Sequence, residues 1–393
     1  MVKEYRALKN IGYEVKVLYA FWDSWAQKSD HELFEKGIIE PDDFILVGGD
    51  PQSSQFLYNF SRVGYKIVRL LSKIIPSHSL KVLSISRTSF ILNRIVKSIK
   101  ADLYIAHALG VLPAVINASK KNGTKAGIDF EDYYSGQYPE DSNDYNLYKS
   151  IEEKYLPEIN FSIASSYLIA EKYKQAYQFL TPIVIHNVFS SRYLRNTPID
   201  FNSGNDLKLF WFSQTVGKGR GLEEIFRAMG HCNGNITCTI LGSCSVKYKD
   251  ELMQIAINSG LKKKQIIFLD PVVPDDIFLI AAEHHIGLAL ESENTINRDI
   301  CLTNKIFTYM LAGLAILATD TSAQKLLLDK NSGIGNYYKK GDIAELIGLL
   351  IKYQSNPQTL KEHCANSLKL ASEQLNWEEE EKKLLSLIEK QFS

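Results

Sequence analysis

The stretch NRDICLTNKIFTYMLAGLAILATD, residues 297–320, shows most clearly how the second half of the chain folds. A helix is predicted from Asn304 onward, because apolar residues recur there at the spacing of one helical face: Ile306, Tyr309, Met310 and Leu311. Gly313 stands at the position of a C-terminal cap, and the apolar run 314–318 predicts a buried parallel strand. The start of this helix suits a phosphate or a sugar hydroxyl, although most loop–helix–strand units of α/β domains bind nothing.

Composition is that of an ordinary globular protein. The chain has 393 residues, enough for two domains, and 45% of them are hydrophobic. Its 45 basic residues balance 45 acidic ones, so net charge gives no reason to expect nucleic acid as a partner. Five cysteines form no disulfide framework and have no zinc spacing, which favours a reducing, cytoplasmic compartment. No apolar run approaches the length of about 18 residues that predicts a membrane span.

Strand-like and helix-like segments alternate through both halves of the chain, which predicts an α/β protein with parallel sheets. Residues 190–206 have the composition of a linker. We therefore predict an N-terminal α/β domain at 1–190 and a C-terminal α/β domain at 206–375. The remaining segment, 376–393, is predicted to be a charged amphipathic helix that docks on the body.

The first half has an unusual beginning. A helix is predicted at 3–10 and a strand at 14–20, followed by a short strand at 44–48. An α/β half of this kind ordinarily opens with a strand and a glycine-rich turn before its first helix. We expect either that this strand and turn precede residue 1 or that the domain does without them.

The segment 51–101 contains no aspartate or glutamate. Two basic amphipathic helices are predicted in it, at 56–75 and 88–100, with a strand-like run at 81–86 between them. An anionic membrane surface or lipid-linked acceptor would meet its basic residues, which include Lys66, Arg69, Lys73, Arg94 and Lys97. That contact would place the protein peripherally on the inner membrane. The alternative is a face that is merely solvated, and composition does not decide between the two.

Five motifs together resemble those of the GT-B glycosyltransferases, in particular the large retaining group (family 4-like) that builds bacterial polysaccharides and glycolipids. In the first half they are ADLYIAHALGVLPA, AGIDFEDYY and VIHNVF. In the second half they are FSQTVGKGRGLEEIFRAM and LTNKIFTYMLAGLAILATD. The resemblance covers nearly the whole chain. It implies two Rossmann-like domains that face a central cleft, and a role in cell-envelope polysaccharide synthesis, such as capsule or lipopolysaccharide.

The resemblance also implies roles for particular residues. The C-terminal domain would bind a nucleotide sugar, such as a UDP- or GDP-sugar, without a metal ion or other cofactor. Its donor-binding candidates are Gln214, Lys218, Arg220, Asn304, Lys305 and Thr308. The N-terminal domain would bind a glycan or lipid-linked acceptor, and its catalytic candidates are His107, Asp129, Glu131 and Asp132. Cations and helix N–H groups would stabilise the leaving diphosphate, while a carboxylate took the proton of the acceptor hydroxyl.

The chain departs from the family pattern in its donor helix. Thr308 stands where a ribose-binding glutamate is usual, and Ile300 where an earlier glutamate is expected, with Glu291 and Glu293 nearby but out of register. Two alternatives therefore stay open, a nucleotide-sugar 2-epimerase on the same fold and a non-catalytic sugar-nucleotide-binding subunit. A nicotinamide dehydrogenase is disfavoured because no G-x-G-x-x-G follows a predicted strand. The pair His284-His285 predicts no metal site, since adjacent histidines point apart and no third ligand is suitably spaced.

Overall fold

The computed structural model of the protein describes residues 1–23, 31–197, 206–232, 235–291 and 294–392. The chain divides into two compact units. Unit 1 comprises Met1–Ile185 together with Glu381–Ser393, and unit 2 comprises His186–Glu380. Residues 198–205 of the predicted linker, together with Glu293, lie outside the described residues.

The strands of the described residues pair only in parallel, which confirms the prediction of parallel sheets. In chain order they are β1 (Val17–Ala20), β2 (Phe44–Val47), β3 (Leu103–Ala106), β4 (Lys125–Phe130), β5 (Phe161–Ala164), β6 (Ile183–Val184), β7 (Leu207–Val216), β8 (Ile236–Cys244), β9 (Ile266–Leu269), β10 (Ile286–Ala289), β11 (Ala315–Thr319) and β12 (Gly335–Tyr338).

The α-helices alternate with these strands through most of the described chain. They are α1 (Val2–Asn10), α2 (Gln55–Ile74), α3 (His78–Ser84), α4 (Ser89–Val96), α5 (Leu112–Asn122), α6 (Asn143–Tyr155), α7 (Tyr167–Ala176), α8 (Leu222–Met229), α9 (Val246–Asn258), α10 (Pro274–Ala281), α11 (Ile296–Ile300), α12 (Asn304–Leu311), α13 (Ser322–Lys330), α14 (Ile343–Ser355), α15 (Pro357–Glu373) and α16 (Trp377–Phe392).

Unit 2 is built on a six-stranded sheet in the order β12-β11-β10-β7-β8-β9. Alternate residues of β7 enter two separate apolar cores, with Leu209 and Trp211 in one and Phe210 in the other. Both faces of the sheet are therefore covered. This explains why the strands read as continuous apolar runs instead of alternating with polar residues.

The stretch 297–320 folds as its pattern predicts. α12 begins at Asn304, and Gly313 ends it with a φ of 72°, a left-handed conformation that glycine enters without steric penalty. A Cβ on Gly287 of β10 would lie 2.1 Å from Cγ of Tyr309, so this glycine leaves room for the tyrosine ring. α12 therefore packs directly on the middle of the sheet, with its first turn at the carboxyl end of β10.

Unit 1 contains a two-stranded sheet of β1 and β2 and a four-stranded sheet in the order β3-β4-β5-β6. Asp43, just before β2, anchors α1 by accepting hydrogen bonds from Tyr5, Lys9 and Lys16. Burial raises the pKa of Asp43, but these donors outweigh it and the pKa falls to about 2. The anchored helix carries Glu4 in its first turn.

The last helix, α16, belongs to both units. Near its start, Glu378 accepts hydrogen bonds from Ser190 Oγ at 2.6 Å and from the Ser191 amide at 2.9 Å, all within unit 2. Near its end, within unit 1, the ring of Phe392 stacks on Tyr13 with the centroids 5.6 Å apart. The predicted terminal helix at 376–393 thus has specific contacts at each end.

Some local predictions are wrong or incomplete. The segment 81–86 is not a strand, because α3 occupies most of it. Packing of α3 against α2 overrides the strand preference of Val82 and Ile85, as tertiary contacts often do. The predicted helix at 88–100 is shorter, at 89–96, and α15 corresponds to no predicted element.

Candidate functional site

The strand order of unit 2 reverses between β7 and β10. From β7 the sheet continues through β8 and β9 on one side, and from β10 through β11 and β12 on the other. In open α/β sheets, ligands bind outside the carboxyl ends of the strands at this reversal. The loops that follow β7 and β10 therefore form the candidate site of unit 2.

The loop after β7 is the glycine-rich segment GKGRG, residues 217–221, which leads into α8. Gly221 has a φ of +77°, and a Cβ on it would lie 2.8 Å from Cβ of Leu290, the residue that follows β10. Glycine is required on both grounds, and it allows the two loops to approach each other closely. The N–H groups of the first turn of α8 suit an anionic group, as the start of any helix does.

Three donor candidates of the first loop have different environments. Arg220 is half-buried and has no hydrogen-bond or ion-pair partner among the described residues. Lys218 is 74% exposed, and its Nζ lies 2.7 Å from Glu251 Oε2. Gln214 is exposed near the end of β7. Arg220 is therefore the cation of this loop whose hydrogen-bonding capacity remains available to a ligand.

Glu291, in the loop after β10, is the partner of Lys305. Its Oε1 lies 2.6 Å from Lys305 Nζ and also accepts a hydrogen bond from Thr303, while its Oε2 lies 3.8 Å from Arg298 Nη1. The Glu291 side chain is only 5% exposed. The Lys305 ammonium also lies 5.8 Å from the ring centroid of Trp211. The lysine is thus held in one direction at the carboxyl end of β10, beside Trp211 of β7.

Sequence reasoning missed this pairing, because it compared Glu291 with a motif position and found it out of register. A usable signal was present. Glu291 directly follows the apolar run of β10, and a charged residue at that point reaches the carboxyl edge of the sheet.

The other two donor candidates on α12 differ in exposure. Asn304, the first residue of the helix, is exposed. Thr308 is 2% exposed, and its hydroxyl donates to the carbonyl oxygen of Asn304 at 3.2 Å. Asn304 is therefore placed to meet a ligand directly, whereas Thr308 is held inside the helix packing.

In unit 1, His107 lies among three carboxylates at the carboxyl ends of β3 and β4. Its Nε2 is 3.1 Å from Glu4 Oε2, and its Nδ1 is 3.5 Å from Asp129 Oδ2 and 3.9 Å from Glu131 Oε1. The Nδ1 atom is buried without a hydrogen-bond partner of good geometry in the described residues. The structure thus joins three of the four predicted catalytic residues and adds Glu4, which sequence reasoning missed.

The pKa values in this cluster follow from burial and charge. Burial alone would lower the pKa of His107, but the adjacent carboxylates, Glu4 first, raise it well above 6.5. Burial would raise the pKa of Glu4, but the imidazolium outweighs it and the pKa falls to about 2. For Asp129 burial prevails, and its pKa is raised. The histidine is therefore a cation near neutral pH.

Glu4, His107 and Asp129 form the group in the described residues whose metal-ligating atoms come together, all within 4.8 Å of one another. A protonated imidazole has no lone pair to offer, so a divalent cation would first have to displace a proton from His107. An imidazolium beside carboxylates suits a hydroxyl-bearing ligand without that step.

The fourth candidate, Asp132, is set apart from this cluster. Its Oδ2 accepts a hydrogen bond from Gln137 Nε2 at 3.0 Å, and it is not among the carboxylates within 4 Å of His107. The loop that carries Asp132 is braced by the fully buried Glu152, which accepts from the Ser135 amide and from two tyrosine hydroxyls. Burial raises the pKa of Glu152.

The basic candidates of the segment 51–101 do not all face solvent. Lys66 and Lys73 are exposed on α2, and Arg94 is exposed on α4. Arg69 instead donates to Asp144 Oδ1 at 2.8 Å, and Lys97 is half-buried after the end of α4. None of the helices in the described part of the chain is long and apolar enough to cross a bilayer.

No protein-family model and no curated protein matches this chain. Solved structures do match it. HepE from Anabaena, in complex with UDP and glucose, is 15% identical with a TM-score of 0.69, over 99% of this chain and 94% of HepE. Sucrose-phosphate synthase from Thermosynechococcus elongatus is 11% identical with a TM-score of 0.69, over 100% and 92%. A glycosyltransferase from Rickettsia africae is 12% identical with a TM-score of 0.65, over 100% and 93%.

These matches, with the parallel α/β architecture of both units, identify the fold as GT-B and confirm the predicted fold class. Unit 2 also has the strand order of a Rossmann fold, with three strands on each side of the reversal. At identities of 11% to 15% the likeness establishes the fold alone.

Proposed function

We propose that this protein is a glycosyltransferase that moves a sugar from a nucleotide-sugar donor to an acceptor hydroxyl. The observation that carries the proposal is the close approach of Gly221, in the glycine-rich loop 217–221, to Leu290. This contact lies where the strand order of unit 2 reverses. The fold supports it as well, because HepE was solved with UDP and glucose and also with UDP-glucose.

In the proposed reaction, unit 2 binds the nucleoside diphosphate of the donor. Negative charge accumulates on the leaving diphosphate as the glycosidic bond breaks, so cations and N–H dipoles directed at it lower the barrier. The start of α8 supplies N–H groups, Arg220 supplies a guanidinium, and Lys305 supplies an ammonium whose direction Glu291 fixes. We propose that these groups neutralise the diphosphate without a metal ion.

Unit 1 is proposed to bind the acceptor beside His107. The imidazolium would hold the surrounding carboxylates in place so that the exposed Glu131 can accept a hydrogen bond from a sugar hydroxyl, and Asp129 and Glu4 keep the ring in the charged form. Glu131 is the carboxylate best placed to take the proton of the acceptor, because its side chain is 52% exposed whereas that of Asp129 is 12% exposed.

The finer assignment rests on the sequence motifs. We propose a family 4-like enzyme that retains anomeric configuration and acts in cell-envelope polysaccharide synthesis. The acceptor would be a glycan or a lipid-linked glycan. The enzyme would work in the cytoplasm at the inner face of the membrane.

The donor site is tested by calorimetric titration with UDP, GDP and the corresponding nucleotide sugars. Arg220→Ala should weaken binding of the preferred nucleotide about tenfold to a hundredfold, the effect of one charge-assisted hydrogen bond. Thermal unfolding should not change, because Arg220 has no partner to lose among the described residues.

Lys218→Ala is the matched control, since it removes a cation from the same loop that is already paired with Glu251 and largely exposed. It should weaken binding less than about threefold. Two results would contradict the donor site: no binding of any nucleotide at millimolar concentration, or equal losses in the two variants.

A non-catalytic sugar-nucleotide-binding subunit is the second candidate, and the environment of Thr308 favours it. At this position a carboxylate would bind the ribose strongly. Thr308 has only a hydroxyl, which is buried and hydrogen-bonded within its own helix. Incubation of the protein with its preferred nucleotide sugar and envelope glycans separates the candidates. Release of nucleoside diphosphate supports the transferase, a changed sugar on the donor supports the 2-epimerase, and binding without turnover supports the subunit.

A further inference from the structure

Helix α2 carries an apolar stripe that faces solvent. Its members recur at alternating steps of four and three residues, and their exposed fractions range from 55% to 86%. They are Phe56, Phe60, Val63, Ile67, Leu70 and Ile74. On a helix this spacing places all six side chains along one line, so the stripe runs nearly the whole length of α2.

The opposite face of α2 makes the contacts with the rest of unit 1. Ser61 is the buried residue of the helix, and its hydroxyl accepts a hydrogen bond from Arg87 at 2.8 Å. The ring of Tyr58 packs on Phe21, with the centroids 5.6 Å apart. An ordinary amphipathic helix buries its apolar stripe and exposes its polar face, and α2 does the reverse. Folding of the described chain therefore leaves this stripe uncovered.

The charges around the stripe are of one sign. Lys66 and Lys73 are exposed, and each precedes a stripe residue, which places both on the same flank. No acidic residue occurs anywhere in 51–101, whereas nine basic residues do. A second copy of α2 would bring like charges together along its flanks, which disfavours a coiled-coil dimer. An anionic lipid surface matches both features, because its headgroups attract the lysines and its acyl chains accept the apolar stripe.

We propose that α2 is the element that attaches this protein to an anionic lipid surface, with its apolar stripe entering the acyl boundary and Lys66 and Lys73 contacting the headgroups. The inference deepens the membrane location given under the proposed function. It does not depend on glycosyl transfer, since attachment requires neither donor nor acceptor. A helix lying in the interface binds through apolar area together with electrostatic attraction, so both contributions should be measurable.

The test is co-sedimentation of the full chain, without nucleotide, with vesicles of equal parts phosphatidylglycerol and phosphatidylcholine. The unmodified protein should bind these vesicles and should bind pure phosphatidylcholine vesicles more weakly. Ile67→Gln combined with Leu70→Gln should reduce binding at least about tenfold, because each loses the burial of one large apolar side chain in lipid. Lys66→Gln combined with Lys73→Gln should reduce it by about tenfold and should lessen its sensitivity to salt.

Val246→Gln combined with Leu279→Gln is the matched control, because these residues of unit 2 are exposed by 78% and 69%. It should leave vesicle binding unchanged, and unaltered thermal unfolding of all variants would show that they fold. Equal binding to neutral and anionic vesicles would overturn the proposal, as would equal losses in the control. A dimer that Ile67→Gln abolishes, with no vesicle binding, would also overturn it by assigning the stripe to a protein interface. Failure here leaves the nucleotide titrations untouched, so the two proposals can fail separately.

Discussion

The cluster around Lys305 in unit 2 and the cluster around His107 in unit 1 both hold a cation against a buried carboxylate at the carboxyl ends of parallel strands, Glu291 in the first and Asp129 in the second. They differ in the ratio of charges. Lys305 and Arg298 share one carboxylate, Glu291, so the unit 2 cluster has an excess of one positive charge. His107 faces three carboxylates, so the unit 1 cluster has an excess of negative charge.

This difference in charge affects which ligands each unit can bind. A positive excess beside a glycine-rich loop favours a diphosphate, and it stabilises that group further as it leaves. An excess of carboxylates around an imidazolium repels a phosphate, but the carboxylate oxygens can accept hydrogen bonds from sugar hydroxyls. This contrast supports the proposal that unit 2 binds the donor and unit 1 binds the acceptor.

The largest expected effect comes from breaking the unit 2 pair. Lys305→Ala leaves Glu291 buried without its main partner and should lower the free energy of unfolding by about 3–5 kcal/mol. Urea unfolding of the purified variant measures this. Arg298→Ala should cost less than about 1 kcal/mol, because Arg298 is 48% exposed and 3.8 Å from the carboxylate.

A double variant, Lys305→Met with Glu291→Leu, provides the control. It removes both charges and should recover most of the lost stability, since a buried pair replaced by apolar residues is often neutral. If the double variant is as unstable as Lys305→Ala, the loss comes from packing of α12 and not from the unpaired charge.

The next effect concerns the unit 1 cluster and depends on pH. The folded-state pKa of His107 lies well above 6.5, so its stabilising contribution is complete below pH 6.5 and is lost as pH rises through the folded-state value. The pKa of Glu4 falls from 4.5 to about 2, so its contribution is present above pH 4.5 and is lost as pH falls toward 2. His107→Gln should therefore destabilise the protein most between pH 4.5 and 6.5, by roughly 2–3 kcal/mol.

Unfolding midpoints of the protein and of His107→Gln across this range measure the difference. A difference that does not vary with pH would mean that His107 acts by packing alone. His363→Gln is the matched control, because burial lowers the pKa of that histidine. Its effect should not diminish as pH rises above neutrality.

The smallest effect tests how the donor loop is held. Gly221→Ala should destabilise unit 2 by about 1–2 kcal/mol, because it forces a left-handed residue and a contact with Leu290. Gly219→Ala shares the left-handed conformation, with φ +74°, but has nothing within 4 Å of its Cβ. Gly219→Ala should lower the free energy of unfolding by about 1 kcal/mol, and it should reduce nucleotide affinity less than Gly221→Ala does. Equal losses of affinity would show that contact between the two loops does not matter.

Much of the architecture follows from local patterns in the sequence. The helix and strand of 297–320, the glycine at 313 and the parallel sheets were all predicted from apolar spacing and cap chemistry. These features depend on neighbours along the chain, so a linear pattern contains the information. The strand predicted at 81–86 is wrong because Val82 and Ile85 favour a strand locally, whereas packing against α2 makes the segment helical.

The candidate site was only partly predictable for the same reason. Arg220 and Lys305 were found through motif positions, but Glu291 lies 14 residues before Lys305 and Glu4 lies far from His107 in sequence. Nothing local links such pairs. Their contact depends on which helices and strand ends lie side by side, which is a property of the folded units.

Local sequence is enough to predict the α/β alternation, the helix that begins at Asn304, the glycine-rich loop at 217–221 and the acid-free segment 51–101. Contacts made on folding are what pair Lys305, bury Thr308, raise the pKa of His107 and leave the apolar stripe of α2 facing outward. Composition and spacing specify what a segment can form. Burial and charge at a site arise from residues that are distant in the chain, and folding alone brings them together.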